Sequence, residues 1–387
     1  MANKKKQHYV PKLYMKSFAN KDNKFAVFNI DKRTTYYPVP YEDHCYEKYF
    51  YGKDQKTEDL LSQKESDWRK VLDKAKSKKP LTKNDIKLIK EFAVYQKQRT
   101  LAETEYGKQE RVQMYIERGK SICAHKGVIF DDKIKNVCIE KATEHLPTPS
   151  DTLTLVDTIL PLISDLKLLV IHYDTQSSLI SSDVPIININ PFCPFQIGFG
   201  CMGLIILFPI SPKLLLVLYD SKMYPKYINN QYITLYNERE VHHLNTLQLI
   251  SAEKILFSFN NLEFSKFKAN DFHLRNQNRS SDVINTLGTQ EQKLICTSMR
   301  KTFYRCDFSF GNVRPDFSLI PLKCREAAPR TYDKEWEKKL RTVGDLFHQL
   351  SKADPKISHL IGITGKEYHK WRDTLLKCCL KYWKETL

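Results

Sequence analysis

Between Leu166 and Asp220 the chain alternates short apolar runs with turn residues. The runs read LKLLVIHYD from Leu166, LISSDVPIININP from Leu179 and GLIILFPISPKLLLVLYD from Gly203. Each is rich in Leu, Ile and Val, and Asp, Ser, Pro or Gly interrupts it before helix length. That pattern predicts strands buried on both faces of a sheet. Ser181-Ser182-Asp183-Val184-Pro185 forms a polar knot inside the apolar stretch. A carboxylate beside a hydrophobic sheet is costly unless something pairs with it, so Asp183 is either a turn-former or part of a site.

Upstream, Lys24 to Tyr37 predicts a hairpin turning at Asp31-Lys32-Arg33, and 38–56 predicts a packed loop. Leu60, Leu61, Trp68, Val71 and Leu72 predict one helix face within 57–76, with Thr57 as its cap. Thr82, with Asp85 in the first turn, predicts the start of a longer helix. Its stripe runs Ile86, Ile89, Phe92, Ala93, Gln96, Arg99 and Thr100, turning polar near its middle, and the helix is expected to continue over 103–119. Downstream, 237–252 predicts a helix, 254–259 a returning strand and 270–281 a linker.

The expected fold class is therefore α+β. A central mixed sheet over 166–260 carries an N-terminal hairpin and long helices from 1–165, with a linker at 261–284. Residues 285–387 form a basic, mainly helical C-terminal module. Within it, 334–350 predicts an amphipathic helix, and 357–376 completes the outline of a helix-turn-helix.

Charge sharpens this layout. The chain of 387 residues carries +17, unevenly spread: residues 1–125 hold 28 basic against 17 acidic side chains, 285–387 hold 20 against 12, and 126–284 hold 14 against 16. Positive flanks around a near-neutral sheet suit a polyanion such as nucleic acid. A solvated lysine-rich helix surface is the plainer explanation. The ten cysteines include no CxxC pair, no secretory h-region precedes the first helix, and no apolar run reaches spanning length. The expectation is a reduced, cytoplasmic protein without a membrane partner, metal or other cofactor; its oligomeric state stays open.

No P-loop, GxGxxG, GxSxG, HExxH or kinase set occurs. Five short motifs do occur in order: His8-Tyr9-Val10-Pro11 with Tyr14 and Phe18, Phe92 to Thr100, Ser182-Asp183-Val184-Pro185, Phe208 to Pro212, and Leu244-Asn245-Thr246. Together they resemble a bacterial family catalogued as domain of unknown function 4238, over roughly residues 7–260. Val184 departs from the family pattern, where Asn is usual. The resemblance implies no established reaction; some relatives act as single-gene antiviral defence proteins, which makes a phage-encoded trigger an expected partner.

The residues themselves suggest a chemistry. His8 exchanges protons near neutral pH, Arg99 is shaped to grip a phosphate, and Asp183 can orient an imidazole. Their convergence would suit phosphodiester cleavage, most simply of RNA, with Gln96, Tyr9, Ser182 and Asn245 binding substrate. Equally, Arg99 is the buried ion-pair partner of Asp183, and His8 packs against an element end. Two functions stand: a toxic nuclease effector of phage defence, or a non-catalytic protein that binds a phage component or nucleic acid.

Overall fold

In the computed structural model the described residues are 5–190, 197–201, 203–224, 229–279, 284–287 and 294–297. The chain divides into two compact units. The first holds the sheets, and its backbone confirms an α+β fold with two larger sheets and two two-stranded pairs among the described residues, where a single sheet was expected. In one, β5 (Lys167–Tyr173), β7 (Ile187–Ile189), β8 (Ile205–Ser211), β9 (Leu214–Tyr219) and β10 (Tyr232–Leu235) take the order β10-β5-β9-β8-β7. Only β10 runs parallel to its neighbour, so the sheet is mixed. In the other, β2 (Lys24–Asn29), β3 (Thr34–Pro40), β6 (Ser181–Ser182) and β11 (Ile255–Ser258) take the order β3-β2-β11-β6.

Alternation along each strand explains the unbroken apolar runs. Leu168, Val170, Ile206, Phe208, Leu216 and Leu218 join one core, while Leu169, Ile171, Ile205, Leu207, Leu215 and Val217 join another on the opposite face. The first core packs under α2 (Lys56–Lys76) and α3 (Lys83–Gln98), through Leu61, Trp68, Ile89 and Phe92. The second packs under α8 (Glu238–Ser251), through Val241, Leu244 and Leu247. Pro209 is accommodated because the pairing of β8 with β7 stops at Leu207, opposite Ile187, so no ladder bond is lost on that side.

Local chemistry decides the ends of the helices. Thr82 and Asp85 form a reciprocal capping box at the start of α3. The residue before α2 is Gln55, so Thr57 lies inside the helix, and Leu60 faces solvent. The helix does not run on without interruption: α3 stops at Gln98, and Thr100 accepts from Glu103 N at 3.3 Å before α4 (Leu101–His125). The expected loop at 38–56 contains β4 (Tyr46–Lys48), paired antiparallel with β1 (Lys6–His8).

The expected linker at 270–281 is instead α9 (Ala269–Arg279) up to Arg279. Polar composition concealed its anchor: Arg275 Nη1 donates to the main-chain oxygens of Leu249 and Ala252, both at 2.6 Å, closing the end of α8. A backbone hairpin, β12 (Ile284–Leu287) and β13 (Leu294–Thr297), occupies the beginning of the stretch expected to be mainly helical. The expected helix-turn-helix and the 334–350 helix lie outside the described residues.

In the second unit the described residues are 107–151. They hold the outer part of α4 and α5 (Asp132–Thr143), which Asp131 caps by accepting from Ile134 N at 2.9 Å. Among the described residues no helix is long and apolar enough to cross a membrane.

Candidate functional site

Strand β1 and the residue after it are tied into the first unit by side-chain hydrogen bonds, some their own and some from α3 and its cap. Gln7 accepts from Tyr51 N at 2.7 Å and donates to Gly52 O at 3.0 Å. His8 donates from Nε2 to Glu42 O at 3.0 Å, and its ring tilts against Tyr46. The main-chain oxygen of His8 accepts from Arg99 Nη2 at 2.6 Å and from the Tyr51 hydroxyl at 3.3 Å. One residue on, Tyr9 O accepts from Gln96 Nε2 at 3.0 Å. Gln96 in the last turn of α3 and Arg99 at its C-cap, three residues apart, therefore reach consecutive carbonyls of the same strand end.

The rest of the Arg99 fork is engaged as well. Nε donates to the Tyr51 hydroxyl at 3.1 Å and Nη1 to Glu65 Oε1 at 3.0 Å. Arg99 is 2% exposed, and the neighbouring Tyr51 and Glu65 outweigh burial to hold it protonated. Its acidic partner is thus Glu65 of α2, not Asp183. A signal for Glu65 was present in sequence: it lies on the stripe of Leu61, Trp68 and Leu72, where a carboxylate requires a partner.

Asp183 grips main chain too. Oδ1 accepts from Glu253 N at 2.8 Å, and Oδ2 from Lys254 N at 2.7 Å and Ile255 N at 3.3 Å. It thereby fixes the entry to β11, whose Leu256 and Phe257 pair with Ser182 and Ser181. Ser182 donates to Gln248 Oε1 at 2.7 Å and accepts from Val184 N at 3.1 Å; Gln248 Nε2 donates to Pro185 O at 3.1 Å. Asn245 acts as a peptide surrogate, accepting from Ile180 N at 3.0 Å and donating to Ser178 O at 2.9 Å. Gln248 escaped sequence reasoning, although it shares a buried helix face with Val241 and Asn245.

The two halves meet at Tyr9: its phenol lies near the Cys45 thiol, and the charge of Asp183 acts on both. Burial is the larger cause, pushing the Tyr9 phenol and the Cys45 thiol far up, so both are neutral at pH 7. Tyr14 joins the same wall: its hydroxyl donates to Pro209 O and lies 2.9 Å from Ser181 Oγ.

His8, Tyr9, Gln96 and Arg99 are thus brought together, and Asp183 lies electrostatically close to Tyr9. The imidazole bonds the Glu42 main-chain oxygen, the guanidinium bonds Glu65, and the Asp183 carboxylate bonds the amides at the start of β11. His8 keeps one chemical option. Burial lowers its pKa, with Lys12 and Arg99 adding to the effect, so the ring is neutral at pH 7. Because Nε2 carries the proton given to Glu42 O, Nδ1 is the basic nitrogen. Among the described residues no group of three or more His, Cys, Asp or Glu is placed to hold a metal ion.

The family model described as "Protein of unknown function (DUF4238)" matches residues 6–261. No curated protein and no solved structure matches the chain.

Proposed function

Starting from a chain that belongs to the DUF4238 family, we propose a non-catalytic, nucleic-acid-binding protein of bacterial antiviral defence, acting in the cytoplasm. The observation that carries this reading is the use made of Arg99 and Asp183. Both are almost completely buried and hold main-chain groups of the fold, an arrangement suited to a rigid scaffold. The +17 charge, concentrated on the flanks, supplies the attraction for a polyanion. The defence setting, with a phage-encoded trigger, follows from the family resemblance.

Fluorescence anisotropy of labelled single-stranded RNA and of duplex DNA with the full-length protein tests it. Binding whose log K falls by about 0.7 per phosphate contact for each decade of salt supports the reading on single strands. Absence of binding to both at low salt removes it.

A second reading, the toxic effector that cleaves RNA, is favoured by one observation: the neutral His8 ring with its proton fixed on Nε2. In that case Nδ1 takes a proton from a ribose hydroxyl, and no metal is needed. RNA shortened by the wild type but not by His8→Gln supports it.

A further inference from the structure

The ten cysteines suggested no pairing by spacing, yet in the second unit Cys138 of α5 lies against α4 one helical turn from Cys123. Gly119 lies on α4 beside Cys138 of α5 and Phe130. A Cβ at that position would overlap Cys138 Sγ and lie 3.0 Å from Phe130 Cε2. The Cys138 sulfur therefore rests directly on the α4 backbone at residue 119. Cys123 is one turn further along α4, on the same face as Gly119. The Cα–Cβ bond of a helical residue tilts toward the helix N-terminus, which directs Cys123 toward the turn that Cys138 covers. Both are free thiols; Cys123 is buried and Cys138 is half-buried.

We propose that Cys123 and Cys138 are a modification site, a thiol pair that peroxide converts to a reversible disulfide joining α4 to α5. Cys138, the more accessible, attacks first: its thiolate takes one peroxide oxygen, the O–O bond breaks, and a sulfenic acid and hydroxide form. The Cys123 thiolate then attacks that sulfur, the S–O bond breaks, and hydroxide leaves. The two thiol protons convert both hydroxides to water. The sulfurs lose two electrons and the peroxide gains them. Burial pushes the Cys138 thiol up and the neighbouring Cys123 adds to this, so oxidation is faster at alkaline pH.

The test uses the full-length protein treated with hydrogen peroxide at pH 8.5, blocked with N-ethylmaleimide and digested with trypsin without reduction. Cleavage after Lys120, Lys126, Lys135 and Lys141 isolates each cysteine in its own six-residue peptide, 121–126 and 136–141. The expected product is these two peptides cross-linked, separated again by dithiothreitol. Cys123→Ser leaves Cys138 as a sulfenic acid that dimedone labels, and Cys138→Ser leaves Cys123 unoxidised. Recovery of both wild-type peptides as maleimide adducts overturns the proposal, as does linkage of either to another cysteine peptide instead.

Discussion

The main-chain oxygen of His8 accepts a hydrogen bond from Arg99 at 2.6 Å, across 91 positions of sequence. The side chain best suited to hold a phosphate holds a peptide carbonyl instead, while its other arms hold Glu65 and Tyr51. A planar fork with several donors is suited to that task, and an ammonium is not.

Arg99→Ala removes the donor of the Glu65 carboxylate and leaves the His8 carbonyl only the longer bond from the Tyr51 hydroxyl. Loss of one member of a buried pair costs about 3–5 kcal/mol. Arg99→Lys restores charge but not the three-way geometry, so it recovers only part of that loss. Urea unfolding of the three proteins checks the order wild type, Lys, Ala. A purely catalytic Arg99 would leave the midpoints equal.

Asp183→Asn replaces two acceptor oxygens by one acceptor and one donor facing the amides of Glu253, Lys254 and Ile255. The cost is at least the about 1–3 kcal/mol of an unsatisfied buried group. Hydrogen exchange at Lys254 and Ile255 accelerates in the variant more than exchange in β5.

The pH dependence has a definite sign. His8 and His44 both have pKa values lowered by burial from 6.5. Above that value each is neutral folded or unfolded, and its contribution is level. As pH falls through 6.5 the unfolded chain takes up protons first, so stability declines toward the folded pKa. His8→Gln reduces the slope of stability between pH 6.5 and 5, measured by denaturant titration. An unchanged slope contradicts the burial of the ring.

Thr82→Ala opens the capping box of α3 and costs about 1 kcal/mol. Asp85, held down to about 2 by Lys74 and Thr82, contributes stability present above its ordinary 3.8 and lost as pH falls toward 2. Its exposure limits the effect through solvent screening. Thermal melts at pH 5 and pH 2.5 resolve the two effects.

Much of this fold is legible in the sequence. Strands buried on both faces leave long apolar runs, and those of β5, β8 and β9 lie within the predicted stretch. The hairpin of β2 and β3 and the Thr82 cap depend on neighbours in sequence, so their signals were local. Sheet membership was not legible. Periodicity says which face a residue takes but not which strand lies beside it, and β6 pairs with β11 from more than seventy residues away. The site divided in the same way. The spacing of Gln96 and Arg99 indicated one shared target, but whether that target was a ligand or the strand carrying His8 depended on a long-range fold.

The most direct measurement incubates the full-length protein with end-labelled single-stranded RNA and follows mobility and fragment length in one reaction, alongside the thermal midpoint of His8→Gln. Retarded RNA of undiminished length, released by salt, is the predicted result. RNA cut by the wild type and spared by a His8→Gln protein with the same midpoint would contradict it.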